Sequence, residues 1–250
     1  MTSLDGITFD YWQTLVLDTP ESLQKAREIR IEGIQEVLHE HGISRSLEEI
    51  DRAYDDSGQR IMRIWAKDED ISAREQVSIL LDSLGLNDAE NLEQSALEEV
   101  ESAYCTPLLR VPPLLSPGAE EILQRIRESG CRIGLISNTG RTPGHILRMV
   151  LGSLGILSFF DAMTFSDEVR VRKPNPRIFL DHLQGLEVSP TMALHIGDDL
   201  RCDVGGAKGV GMRAIHLDRG EEKRSDVQPD GIIEDLTQLH EILERLERFG

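Results

Sequence analysis

Four short segments carry side chains that can do chemistry together. Asp10 closes an apolar run from Leu4 to Phe9, and Ser137, Asn138 and Thr139 follow another from Arg132 to Ile136. Lys173 precedes Pro174, while Gly197, Asp198 and Asp199 follow Ala193 to Ile196, with Asp203 shortly after. A carboxylate can attack phosphorus or carbon and form a covalent ester. Attack on a phosphate dianion needs its charge offset, which Mg²⁺ does with oxygen ligands and retained waters. Asp10 and Asp198 could hold that metal, Asp199 or Asp203 could add a direct or outer contact, and the backbone carbonyl of Trp12 another oxygen. Carboxylates brought this close repel one another unless a cation lies between them. Lys173 could neutralise the attacking carboxylate and a phosphate oxygen. Ser137 and the backbone N–H groups near Asn138 could bind the transferring group at a helix N-terminus. Each residue alone has a plainer use: an Asp after a strand often caps a helix, and Ser-Asn-Thr often makes a turn. Those plain uses must all hold independently, whereas one mechanism covers the whole set.

The elements that would position these residues follow from periodicity. Leu4 to Phe9 reads as a buried strand. From Pro20 to Tyr104 the chain is rich in Glu, Arg, Leu, Ile and Ala at helical spacing, with Gly42, Gly58 and Gly85 as breaks between helices. A cluster of prolines from Pro107 to Pro117 marks the return. Thereafter helices are expected at Ala119–Ser129, Pro143–Leu154, Asn175–Gln184, Gly205–Val210 and Leu236–Phe249. Strands are expected at Arg132–Ile136, Ala162–Phe165, Ala193–Ile196, Arg213–His216 and Gly231–Ile233. Such alternation predicts an α/β fold, a doubly wound parallel sheet covered on both faces. Residues 1–17 and 108–250 would form this core, and 18–107 an all-helical domain inserted after the first strand. Ligands of such sheets sit beyond the carboxyl ends of the strands, where the four segments end.

Other features carry less. His39 and His41 are two apart on a helix and face different ways, a poor metal pair. Gly205, Gly206, Gly209 and Gly211 lack the spacing of a dinucleotide loop and fall inside a helix. In the inserted helices Arg60, Arg63 and Lys67 read as solvated charges and Trp65 as packing in their core. Arg141 is the better contact for an anionic substrate. The net charge of −18 and pI near 4.8 argue against nucleic acid or an anionic membrane as partner, leaving a small molecule. The three cysteines lie far apart in sequence, without zinc spacing, and fit a reducing cytoplasm; Cys131 and Cys202 read as small core residues. The start of the chain shows no basic stretch followed by an apolar one, and Met149 to Phe160 is too short to span a bilayer.

Phe9-Asp10-Tyr11-Trp12-Gln13-Thr14-Leu15 resembles the first motif of the haloacid dehalogenase superfamily, and Ile136-Ser137-Asn138-Thr139 resembles the second. Lys173-Pro174-Asn175-Pro176-Arg177-Ile178-Phe179 is similar to the third. Ile196-Gly197-Asp198-Asp199 through Asp203, ending in Gly206-Ala207 and Gly211-Met212, resembles the fourth. All four stand in order, with the helical insertion between the first and second, as in members with the first type of cap. The resemblance implies a Rossmann-like core, Asp10 as nucleophile and metal ligand, and Mg²⁺ as cofactor. It also implies Ser137 on phosphate, Lys173 stabilising the nucleophile, Asp198 on the metal, and Asp199 and Asp203 as supporting acids. Thr14 would orient the first loop. One position departs. Phosphatases of the family carry a second Asp two residues after the nucleophile, which protonates the leaving oxygen and then activates water; here it is Trp12. Loss of that group costs about 10²–10⁴-fold on a poor leaving group and less on an acyl or aryl phosphate. The resemblance therefore implies a phosphatase on a small phosphorylated metabolite. The alternatives are a metal-free 2-haloacid dehalogenase, whose members also carry an aromatic residue there, a phosphonate-cleaving enzyme using Lys25 or Lys67, and a non-catalytic binding protein.

Overall fold

The structure, a computed structural model, describes residues 4–86, 92–220 and 227–243. Strand β1 (Gly6–Phe9) and a short β2 (Val16–Leu17) lead into helices α1 (Pro20–Glu40), α2 (Leu47–Trp65), α3 (Ala73–Ser83), α4 (Gln94–Cys105) and α5 (Pro107–Arg110). The chain returns through β3 (Leu114–Leu115), which pairs antiparallel with β2. It then alternates α6 (Ala119–Ser129), β4 (Arg132–Ser137), α7 (Gly144–Ser153), β5 (Ala162–Phe165), α8 (Ser166–Val169), α9 (Pro176–Leu186), β6 (Ala193–Gly197), α10 (Gly206–Gly209), β7 (Arg213–Leu217) and β8 (Gly231–Ile233).

Among the described residues the main sheet has six strands in the order β5-β4-β1-β6-β7-β8, all parallel. The α/β doubly wound fold expected from the sequence is therefore present. β1, β4 and β6 are nearly continuous apolar runs, buried along almost their whole length because helices cover both faces. Phe9 lies level with Leu135 on β4 and Ile196 on β6. The first residues beyond these three strands therefore emerge side by side at one edge.

The inserted helices begin where local chemistry dictates. Thr19, Ser46 and Ser72 each cap a helix through a reciprocal capping box, with Ser22, Glu49 and Glu75 as partners. The apolar faces of α1 to α4 close on a cluster of their own, including Ile34, Leu38, Ile50, Leu80, Val100 and Tyr104. Gly42 and Gly85 follow helix ends in the left-handed conformation, at φ +76° and +71°. Gly58 does not break a helix as the sequence predicted; it lies inside α2, and its lack of a side chain serves a close approach described below. The predicted closing helix from Leu236 starts as a tight turn, Leu236–Gln238, and is helical to residue 243; residues 244–250 lie outside the described residues. Cys105, rather than Cys131 or Cys202, is the fully buried cysteine; the other two are half-buried.

Candidate active site

Asp10 leaves the end of β1 at the centre of the sheet, its N–H donating to the Ile196 carbonyl of β6 (2.9 Å). The loop beyond it turns sharply, with Gln13 in the left-handed region at φ 55°. Arg219 holds that loop, donating from Nε to the Gln13 carbonyl (2.7 Å) and from Nη2 to Ser116 (2.7 Å). Asp10, Asp198 and Asp203 converge, with one carboxylate oxygen from each lying within 4.8 Å of the others. Lys173 enters from the loop after α8. Its ammonium donates to Asp10 Oδ1 (2.5 Å), Asp203 Oδ1 (2.6 Å) and the Ile136 carbonyl (2.7 Å). An ammonium has three N–H groups, so these acceptors saturate it.

Charge follows from this geometry. Burial pushes the Asp10 carboxyl above the usual carboxylate range; Lys173 pulls it down, while Asp203 and Asp198 push it further up. Burial alone would lower the Lys173 ammonium, yet Asp10 and Asp203 outweigh it and hold the lysine charged. Asp203 is likewise penalised by burial, but Lys173 and His195 hold it well below the usual range. Three carboxylates thus gather around a site where one lysine pairs with two of them. The donor set is all oxygen and carries an excess of negative charge, which fits a hard divalent cation.

Each residue singled out in the sequence has a definite place. Ser137 ends β4, fully buried, and its hydroxyl has no hydrogen-bond partner among the described residues. A buried polar group left without a partner is costly, and an incoming phosphoryl oxygen would supply one. Thr14 is also buried, its hydroxyl without a partner among the described residues. Both ends of the Asn138 amide are engaged with the lysine main chain, accepting from Lys173 N–H (2.8 Å) and donating to its carbonyl (3.0 Å). Asn138 therefore positions Lys173. Asp199 stands outside the three-carboxylate group. Its Oδ1 accepts from the N–H groups of Arg201 (2.9 Å) and Cys202 (2.7 Å), capping the wide helical turn Leu200–Gly205, the plain use of an Asp after a strand. The Trp12 ring packs edge-on against Tyr11 (4.7 Å) and lines a cavity of about 560 Å³ between the inserted helices and the sheet edge. Arg141 lines the same cavity but reaches into the insertion, donating to Tyr104 Oη (2.6 Å), the Tyr54 carbonyl (3.0 Å) and Ser57 Oγ (3.2 Å).

Several residues escaped the sequence reading. His195 sits beneath Asp203, its Nε2 3.2 Å from Asp203 Oδ1 and its Nδ1 2.8 Å from Thr8 Oγ1, so a buried chain runs from Thr8 to Asp10. Its only signal was a histidine in an apolar strand. Asp70, from the insertion, is 5% exposed and accepts from Trp65 Nε1 (2.8 Å), Ile71 N–H (2.8 Å) and Arg172 Nη1 (2.6 Å). Arg172 also lies over the Trp65 ring (4.3 Å). Trp65 therefore packs where the insertion meets the core and not inside the helical cluster. Arg60, Arg63 and Lys67 are exposed, with Arg60 paired to Asp82 (2.6 Å). Asp18, also on the cavity wall, accepts from the Gln13 amide, and burial raises its carboxyl.

The model of the haloacid dehalogenase-like hydrolase family matches residues 4–211. The chain belongs to that family. This hydrolase is 36% identical over 135 residues to a glyceraldehyde 3-phosphate phosphatase of Pyrococcus furiosus, covering 52% of this chain and 54% of that protein. It is 26% identical to a glyceraldehyde 3-phosphate phosphatase of Methanopyrus kandleri over 98% of this chain and 99% of that one. The chain thus spans about half the length of several relatives it matches and nearly all of another. A crystal structure of a 2-haloacid dehalogenase from Pseudomonas syringae shares its fold, with a TM-score of 0.73 at 24% identity over 97% of this chain and 99% of that one. No helix among the described residues is long and apolar enough to cross a membrane.

Proposed function

We propose that the protein is a Mg²⁺-dependent phosphatase acting on a small phosphorylated metabolite through a phosphorylated Asp10. The observation that carries this is the convergence of Asp10, Asp198 and Asp203 on one another and, for two of them, on the single ammonium of Lys173. The names of the Pyrococcus and Methanopyrus relatives support the reaction class.

Asp10 attacks phosphorus, its ester bond forms as the bond to the leaving oxygen breaks, and water then cleaves the Asp10 ester to release phosphate. Asp10, Asp198, Asp203 and the Trp12 carbonyl would hold the metal, with Asp199 supporting the loop, and the metal would supply positive charge to offset that of the phosphate. Lys173 fixes one Asp10 oxygen and favours its charged form against the cost of burial. Ser137 and the N–H groups beyond it bind the phosphoryl oxygens, Thr14 orients the first loop, and the inserted helices act as a cap. Trp12 cannot pass a proton, so esters whose leaving oxygen needs little protonation, acyl and aryl phosphates, are the better substrates. The free cysteines suit a reducing cytoplasm.

Phosphate release from an aryl phosphate should require Mg²⁺ and stop with EDTA. Equal rates under both conditions would remove this reading. Trp12 on the cavity wall favours a second reading, dehalogenation of a 2-haloalkanoic acid; halide release without added metal would establish it.

A further inference from the structure

The cavity beside Trp12 is charged against the sign of the whole molecule. Four of the five charged side chains lining it are arginines, Arg27, Arg30, Arg141 and Arg172, against Asp18, in a chain of net charge −18. Two of the four are neutralised on the spot. Arg27 bonds Asp51 (2.6 Å) and Asp55 (2.7 Å), and Arg172 bonds Asp70 (2.6 Å).

Arg30 and Arg141 are different. Arg30 is 4% exposed and donates from Nε to the Tyr104 carbonyl (2.6 Å) and from Nη1 to Tyr54 Oη (3.2 Å). Arg141 donates to Tyr104 Oη, Ser57 Oγ and the Tyr54 carbonyl. Both guanidinium groups lie over the rings of Tyr54 and Tyr104, Arg141 at 4.1 Å from the Tyr54 centroid. Every one of these acceptors is neutral, and neither arginine forms an ion pair among the described residues. Asp55, whose carboxyl feels Arg141, is bonded to Arg27. Neutral oxygens and ring faces satisfy N–H groups, but they do not supply a counter-charge. A guanidinium cannot shed its proton to escape the cost of burial. Arg30 Nη2 and Arg141 Nε also have no protein partner among the described residues.

Gly58 leaves room for the Arg141 guanidinium. A Cβ there would stand 2.7 Å from Arg141 Nη2, so this helix gives up a side chain mid-length to let the guanidinium lie against it. A glycine inside a helix costs about 1 kcal/mol relative to alanine.

We propose that Arg30 and Arg141 form a subsite for a second anionic group of the substrate, so that the ester carries a carboxylate or a second phosphoryl group besides the phosphate removed at Asp10. This rests on the phosphatase reading and adds the class of ester. An aldehyde or hydroxyl in the same place would leave both guanidinium charges uncompensated.

Calorimetric binding at constant free Mg²⁺ tests it, with methylphosphonate as the one-headed ligand and phosphonoacetate and methylenediphosphonate as two-headed ones. A two-headed ligand should bind at least about tenfold tighter than methylphosphonate, and Arg141→Gln should remove most of that factor. Gly58→Ala should do the same; it keeps both arginines and favours the helix, so a folding failure does not confound it. The tighter of the two names the second group. As substrates, 3-phosphoglycerate should exceed glyceraldehyde 3-phosphate in kcat/KM by a similar factor, since they differ in carboxylate against aldehyde. Methylphosphonate binding as tightly as both two-headed ligands would overturn the proposal. Phosphate release from neither ester and from no aryl phosphate would count against the phosphatase reading, and the binding comparison would still decide this one.

Discussion

Lys173 illustrates how much rests on single side chains. Its three donors meet three buried acceptors, and its charge holds Asp203 ionised while pulling Asp10 down against the rise that burial causes. Trp12 is the residue that shapes chemistry by what it lacks. Trp12→Asp should raise kcat on alkyl phosphates by about 10²-fold or more while changing aryl phosphates little, because only the former need a proton on the leaving oxygen. Steady-state rates on both ester types check this, and no gain in a folded variant would mean that Trp12 does not simply replace an acid. His182 sets a pH dependence away from the site. It is 2% exposed, its Nδ1 2.9 Å from Thr164 Oγ1 and its Nε2 without a partner among the described residues, and burial lowers its pKa to about 3. The unfolded chain takes up this proton near pH 6.5 and the folded one does not. The contribution of His182 to stability is therefore present above pH 6.5 and is lost as pH falls toward 3. Between pH 7 and 5 the loss from this residue amounts to about 2 kcal/mol. Urea unfolding of wild type and His182→Gln at the two pH values should show the wild type losing that much more than the variant; equal losses would refute it.

At the scale of elements, strand ends deliver the acids and loops then fold back on the strands. Gly197 closes β6, and a Cβ there would meet Asp203 Cγ at 2.3 Å, so the Asp203 turn packs directly onto the strand end. Gly197→Ala should destabilise the fold by about 1–3 kcal/mol and weaken metal binding together, as the loop is pushed off its seat. Denaturation and Mg²⁺ titration of one variant would show both effects or neither. Asp70 ties the insertion to the core, bonding Arg172 across 102 positions of sequence. Asp70→Ala leaves Arg172 without its carboxylate and should cost about 3–5 kcal/mol of stability, read from denaturant midpoints. The sequence made the strand ends legible because short apolar runs of a parallel sheet stop where chemistry begins. It could not show Asp70 or the docking of Arg141, since both are pairings between side chains far apart in the chain. Gly58 shows the limit best. Poor helix propensity read as a helix end, while the glycine lies inside a helix where an arginine from another element packs against it.

At the scale of the whole molecule, a net charge of −18 surrounds a centre that, on the proposed function, receives an anion. The fold resolves this locally, with Lys173 at the sheet edge and arginines on the cavity wall. The order of the four motifs was readable at the outset because three of them follow strands directly and the Lys173 segment lies between two strands; the division of labour among the acids was not. Asp199 and Asp203 look alike in sequence, yet one caps a helical turn and the other joins the cluster because the turn Leu200–Gly205 brings it back beneath β6. The proposed site requires Asp10 and the Asp198–Asp203 loop to gather around one divalent ion. Calorimetric titration of Mg²⁺ into the wild type and Asp198→Asn measures this directly. One ion should bind per chain, and the variant should bind it at least about tenfold more weakly, since a ligand charge is lost. Equal affinity in the two proteins would contradict it.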